Sequence, residues 1–134
     1  EIKFFPNRDQ NNLIIESIIK DRSLKNNFDY INSSLTPGDF IVFNQICSEN
    51  NININEKLVD NLSLLFKLFK QTKDSKYIDF SIFLVSQYYY NLTKLNSLDS
   101  NLFEKRSFVI KKIHDFRKLN LNLNNLFLDI KQYI

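Results

Sequence analysis

Few side chains in this sequence have the chemistry to catalyse anything. His114 is its only histidine and Cys47 its only cysteine, so the chain cannot assemble a zinc tetrad of nitrogen and sulfur ligands from its own residues. His114 stands between Ile113 and Phe116 at the edge of an apolar face, where a bland boundary histidine is the default reading. Cys47 follows Ile46 on a helix face and reads as a small core residue. The carboxylate pairs Asp74 with Asp79 and Glu16 with Asp21 fall on solvated faces with no second signal marking a pocket. Gly38 is the sole glycine and no Walker lysine follows it, which excludes a phosphate-cradling loop. The chemistry points away from an enzyme and from any cofactor, and toward contact with other macromolecules.

Contact chemistry is concentrated elsewhere. Basic residues gather as Lys105-Arg106, Lys111-Lys112 and Arg117-Lys118. At 100° per residue Lys105, Lys111, Lys112 and Lys118 point away from the apolar arc, whereas Arg106 and Arg117 project into the arc of Ile110 and Ile113. An arginine so placed either snorkels at the end of the face or meets a carboxylate, a candidate being one on a neighbouring subunit. Tyr88, Tyr89 and Tyr90 could stack on bases, but three consecutive residues point around a helix, so only some of them share a face.

These side chains must be positioned by helices. The 134 residues are 43% hydrophobic and 25% charged, enough apolar side chain to fold and enough length for one core or two small helical units. The spacing predicts a helix capped by Asp9 and running to Lys20, with Leu13, Ile14, Ile15, Ile18 and Ile19 inward. A shorter one capped by Ser23 carries Leu24, Phe28, Ile31 and Leu35. Thr36-Pro37-Gly38-Asp39 is the clearest start signal: a Thr cap, Pro at the first helical position and an acid three residues after the cap. Phe40, Ile41, Phe43, Ile46 and Cys47 carry that helix to a break at Ser48-Glu49-Asn50-Asn51.

Four more helices follow. One runs from about Asn55 to Lys73, with Leu58, Leu62, Leu65, Phe66 and Phe69 inward and Lys57, Lys67 and Lys70 outward. The next, from Asp74 to Asn96, buries Tyr77, Ile78, Phe80, Leu84, Val85 and Tyr88, its aromatic density implying burial on more than one side. A third, capped by Asp99 or Ser100 and ending near Leu119, buries Leu102, Phe103, Val109, Ile110, Ile113 and Phe116. Asn122 caps the last, whose Leu123, Leu126, Phe127, Ile130 and Tyr133 face inward. The fold class is all-α, an antiparallel helical bundle or array, with Ile2-Lys3-Phe4-Phe5 before Pro6 as a short strand remnant.

That orphan strand, and a start at Glu1 with no methionine in the chain, lead us to expect a segment of a longer protein. The skew toward Asn, Ile, Lys, Phe and Tyr, with no Ala or Trp, is what an AT-rich genome imposes on neutral positions, so much of the Asn is expected to carry no structural role. The triplets Asn61-Leu62-Ser63 and Asn91-Leu92-Thr93 are read as chance glycosylation signals for the same reason. A net charge of +3 permits only weak attraction to nucleic acid. One cysteine, no signal peptide and no apolar run near twenty residues lead us to expect a cytoplasmic setting and no membrane partner.

In order and sequence these elements resemble the C-terminal part of the delta-prime subunit of the bacterial DNA polymerase III clamp loader. Ile2-Lys3-Phe4-Phe5-Pro6 resembles the strand after that family's Ser-Arg-Cys arginine-finger motif, and the Leu13 to Ile19 helix resembles the first helix of its AAA+ lid. Ser33-Ser34-Leu35-Thr36-Pro37-Gly38 resembles the start of the sensor-2 helix. ATP-hydrolysing relatives carry an arginine soon after that glycine, where this chain has Asp39-Phe40. Phe116-Arg117-Lys118-Leu119-Asn120-Leu121-Asn122 resembles the turn before the last collar helix, with Asn122 in place of an aspartate.

The resemblance implies a lid at residues 1–50 and a collar at residues 51–134, with no nucleotide chemistry. It implies a non-catalytic structural role in DNA replication, the collar helices packing against other clamp-loader subunits in a ring, with the sliding clamp and primer-template DNA as partners through the assembly. Thr36, Pro37, Gly38 and Asp39 would then form the sensor-2-like helix start. Arg106, Arg117, Asn120 and Asn122 are the candidate subunit-interface residues. A stand-alone helical adaptor or nucleic-acid-binding module is the alternative.

Overall fold

The structure, a computed structural model, describes residues 7–27, 35–95, 101–119 and 122–134. Six helices and no strand occur among them: α1 Arg8–Arg22, α2 Pro37–Asn50, α3 Leu58–Thr72, α4 Lys76–Leu95, α5 Asn101–Leu119 and α6 Leu123–Lys131. The chain is therefore all-α. The expected strand at Ile2–Phe5, the helix continuing through Phe28 and Ile31, and Asn120 lie outside the described residues. No helix among the described residues is long and apolar enough to cross a membrane. The chain divides into two compact units, Glu1–Asn53 and Ile54–Ile134.

In the first unit α1 packs against α2. Helix α1 starts two residues earlier than Asp9 predicts, because Asn7 and Gln10 close a reciprocal capping box. The Asn7 side chain accepts the Gln10 N–H at 2.9 Å and the Gln10 side chain accepts the Asn7 N–H at 3.0 Å. Asp9 instead sits in the first turn, favourable for the helix dipole. Ser23 does not start a helix; it ends one, in the left-handed region at φ 50°. The Leu24 N–H returns to the Ile19 carbonyl at 3.1 Å, which satisfies a terminal acceptor and turns the chain. Asn51, at φ 54°, closes α2 the same way, with the Ile52 N–H on the Cys47 carbonyl at 3.0 Å and Ile52 buried. Helix α2 therefore runs on through Ser48 and Glu49 and stops at Asn50, at the end of the break expected at Ser48–Asn51.

The non-helical stretch Leu24–Asn27 after Ser23 is held by amides. Asn44 is buried on α2, and its side-chain oxygen accepts both the Asn27 N–H at 3.0 Å and the Asn27 side-chain amide at 2.8 Å. Its own amide donates to the Lys25 carbonyl at 2.8 Å. Asn27 also donates to Ser48 Oγ at 3.0 Å and to the Asn44 carbonyl at 3.2 Å. Asparagine suits this task because one side chain both donates and accepts, as a non-helical backbone requires. Below it Phe40, Phe43, Ile46 and Cys47 fill the core with Ile15 and Leu35. Of the apolar residues expected inward on α1, Leu13 is 66% exposed and Ile14 is exposed as well; only Ile15 is fully buried.

The second unit is a closed four-helix bundle. Helix α4 packs between α3 and α5, and α6 closes the circuit by packing against both α5 and α3. The α3–α4 link spans residues 73–75, too short for anything but reversal, so the neighbours are antiparallel. Lys73 leaves α3 at φ 59°, and the Asp74 carboxylate then accepts the Lys76 N–H at 3.1 Å to start α4. Because α4 touches two partners it buries a broad face: Tyr77, Ile78, Phe80, Ser81, Leu84, Val85 and Tyr89.

Side chains from diagonally opposed helices meet in the centre. The Phe116 ring of α5 lies 5.4 Å from Phe66 and 5.8 Å from Phe69 of α3, all tilted as ring quadrupoles prefer, and Phe127 of α6 adds a contact to Phe66 at 5.7 Å. Lys70 reaches over Phe116 at 5.4 Å, so its stem lies on the bundle rather than pointing outward as expected. Phe103, expected inward, is 69% exposed, because α5 turns Leu102 toward the core in that first turn.

Two substitutions test this account. Phe116→Ala empties the centre of the bundle and is expected to cost about 3–5 kcal/mol in denaturant unfolding of the second unit. Asn44→Ala leaves the Asn27 N–H and Lys25 carbonyl without their partner and is expected to cost about 1–3 kcal/mol, whereas an exposed Asn such as Asn91 tolerates alanine. Equal, small effects at Asn44 and Asn91 would contradict the amide network.

Candidate functional site

The α2 start has the predicted Thr cap and leading Pro, but among the described contacts Asp39 makes no return bond to the Thr36 N–H. Thr36 caps with its hydroxyl accepting the Asp39 N–H at 3.2 Å, Pro37 occupies the first turn, and the Phe40 N–H bonds to the Thr36 carbonyl at 2.9 Å. Gly38 needs no unusual backbone and a methyl group there would meet open space. This helix start is a poor anion cradle. Pro37 has no N–H, the Asp39 N–H is already committed to Thr36, and the exposed Asp39 carboxylate would repel phosphate.

Cys47 is buried within α2, and burial pushes its thiol up to about 12. It stays protonated at neutral pH and is inert as a nucleophile. His114 is exposed on α5. Among the described residues no group of three or more His, Cys, Asp or Glu is placed to hold a metal. Asn61, the first glycosylation-like triplet, is buried in α3 and closed to modification in the folded chain.

The two arginines part company. They are eleven residues apart on α5, about 16 Å along the axis at 1.5 Å per residue. Arg117 lies in the last turn and is exposed, since the apolar face ends with Phe116 beside it. Arg106 is half-buried as its helical position predicts, and its Nη2 reaches Ser86 Oγ of α4 at 3.5 Å, a long contact. Neither arginine forms an ion pair among the described residues. Asn122 serves as the α6 cap, its side-chain oxygen accepting the Asn124 N–H at 2.8 Å. Arg106, Arg117 and Asn122 therefore stand in different surroundings, and Asn120 lies outside the described residues.

The basic face is also partly spent. Lys112, expected to point into solvent, bridges to Asp129 of α6 at 3.6 Å and lies over the Phe108 ring at 5.3 Å, stitching α5 to α6. Lys105 is half-buried, while Lys111, Arg117 and Lys118 are exposed. Of the three tyrosines, Tyr89 is the buried one and Tyr88 only half so, the reverse of the expected pattern. The Tyr89 hydroxyl donates to the Tyr133 carbonyl, tying α4 to the end of the chain. Burial, with smaller contributions from Tyr88 and Tyr133, pushes that phenol up to about 12.

What the structure adds is a groove of about 450 Å³ between α4 and α5, lined by Ser86, Gln87, Tyr89, Tyr90, Thr93, Leu102, Phe103 and Arg106. Tyr90 is 49% exposed and Phe103 stands at its mouth. Arg106 is the one charged residue in the lining among the described residues. Exposed aromatics around a half-buried arginine are the composition that dominates protein–protein binding energy. Reasoning from the sequence found Arg106 but missed the groove, because the α4 side chains that complete it are distant along the chain.

Both raised groups bear on alkaline stability. A phenol or thiol whose folded pKa is raised holds its proton more tightly than in the unfolded chain, so stability is full below the ordinary value and falls as pH rises toward the folded one. Stability is expected to decline between about pH 9 and 12 for Cys47 and between about pH 10 and 12 for Tyr89. Tyr89→Phe should flatten the decline of the second unit in unfolding measured across that range; an unchanged slope would contradict the buried phenol. Comparison with protein-family models, with curated proteins and with solved structures finds no match to this chain.

Proposed function

We propose that this chain is a non-catalytic structural part of a DNA-replication clamp loader, packing its C-terminal helices into a subunit ring that supports sliding-clamp loading. The observation that carries the reading is the start of α2. There a Thr-capped, Pro-led helix presents the exposed Asp39 carboxylate where the ATP-hydrolysing relatives of the family it resembles place an arginine. A nucleotide-binding helix start would be selected against such a charge, and a structural subunit has no reason to avoid it. The self-contained bundle of α3–α6, with an aromatic groove around Arg106, supports a role in assembly. On this reading the first unit is the lid, the second the collar, the setting cytoplasmic, and the partners are the other loader subunits, with the clamp and primer-template DNA engaged through them.

The exposed cations Lys111, Arg117 and Lys118 favour a second reading, a nucleic-acid-binding module. The Lys112–Asp129 pair weakens it by removing one charge from the same face.

One experiment separates the two. The complete gene product is mixed with the remaining clamp-loader subunits of the same cell and resolved by gel filtration, and co-elution is expected. Separate elution at micromolar concentrations would overturn the assembly role. In parallel, affinity for a primer-template duplex is measured against salt. A collar alone binds feebly, whereas a nucleic-acid module loses roughly 0.9 log units of affinity per phosphate contact for each log unit of salt.

A further inference from the structure

We infer that the α4–α5 groove docks an amphipathic helix of a partner protein, which sets a carboxylate on Arg106 between apolar side chains resting on Phe103 and Tyr90. The inference deepens the assembly reading above by naming the partner's chemistry at one place.

Charge complementarity carries it. Arg106 offers five N–H donors and engages one neutral hydroxyl at 3.5 Å. A half-buried guanidinium has lost part of its water and has no carboxylate in return among the described residues. Among the described residues no acidic side chain lines the groove. Glu104, two residues from Arg106, points to another side of α5 and is exposed. Lys94 adds a second cation at the rim, 4.6 Å over the Tyr90 ring. The groove is therefore cationic and aromatic, and a carboxylate can take two parallel bonds from the guanidinium.

The walls select the rest of the occupant. Phe103 at 69% exposed and Tyr90 at 49% exposed are large apolar surfaces flanking the charge. A helix offering an acid with apolar residues three or four positions away covers all three at once. Nucleic acid fits less well, because Lys94 already occupies a face of Tyr90 on which a base would stack, and the lining holds one cation rather than a row tracking a backbone.

The test places a photoreactive p-benzoylphenylalanine at the exposed position 103 of the complete gene product, in its native cell, and sequences the cross-linked peptide. The expected adduct is a helical peptide carrying Asp or Glu with apolar residues three or four positions away. It should fall at least about tenfold with Arg106→Glu and less with Arg106→Lys, which keeps the charge but not the paired bonds. Arg106→Gln replaces the reversal should R106E fail to fold, judged by its melting curve. An adduct of this kind in a clamp-loader subunit supports both readings. The same chemistry in another protein supports the groove and overturns the clamp-loader role. No adduct, an adduct to nucleic acid, to a second copy of the chain or to a peptide without an acid, or an adduct indifferent to the charge at position 106, overturns the inference.

Discussion

The second unit depends on one contact, the meeting of Phe116 with Phe66 across the bundle diagonal. Neighbouring helices around the circuit touch along their lengths, but diagonal pairs meet only through long side chains, and without them the centre would be void. A chain with no Ala and thirteen Phe fills that space with rings, whose tilted packing gains both buried area and quadrupole attraction. The contact organises its surroundings. Phe69 and Phe127 complete the cluster, Lys70 lies across the Phe116 face, and α5 is thereby set in rotation with Leu102, Val109 and Ile113 inward. That rotation puts Arg106 at the α4 edge and leaves Phe103 outside.

The first unit uses a different device. It has fewer large rings to bury, and its non-helical Leu24–Asn27 stretch needs hydrogen bonds that no helix ladder supplies. Asn27 and Asn44 provide them with Ser48, in a cluster where Asn27 donates and the Asn44 side chain both donates and accepts. Three caps in the left-handed region, at Ser23, Asn51 and Lys73, are made without glycine, while the only glycine sits where its freedom is not needed. A composition poor in glycine thus shapes the chain at a steric cost of about 1–2 kcal/mol at Ser23 and Lys73, and less at Asn51 because asparagine adopts this conformation readily.

Electrostatics divide the surface of the bundle. On the α5–α6 side a lysine finds its carboxylate, Lys112 with Asp129, and the charge is spent within the chain. On the α4–α5 side, among the described residues, Arg106 meets a hydroxyl and Lys94 a ring. The same helix therefore carries one basic residue that stitches the fold and another with no carboxylate among the described residues. Under the proposed assembly role, this asymmetry favours the α4–α5 edge over the basic face as a whole.

The sequence by itself determined the helical class, the Thr36 and Asn122 caps, the break near Asn51 and most of the inward residues of α3, because capping and apolar periodicity are local and repeat every turn. It misplaced what depends on which neighbour a helix meets. Leu13, Ile14 and Phe103 lie within apolar stripes yet stay exposed, since a stripe is buried only where another element covers it. Tyr89 rather than Tyr88 went inward because α4 is covered on two sides, and Asn44 became structural because a loop distant along the chain needed its amide. The separation of Arg106 from Arg117 was likewise decided by tertiary structure: both share an arc on the helical wheel, but only the one beside Ser86 and Tyr89 has a wall facing it, and a groove requires two walls.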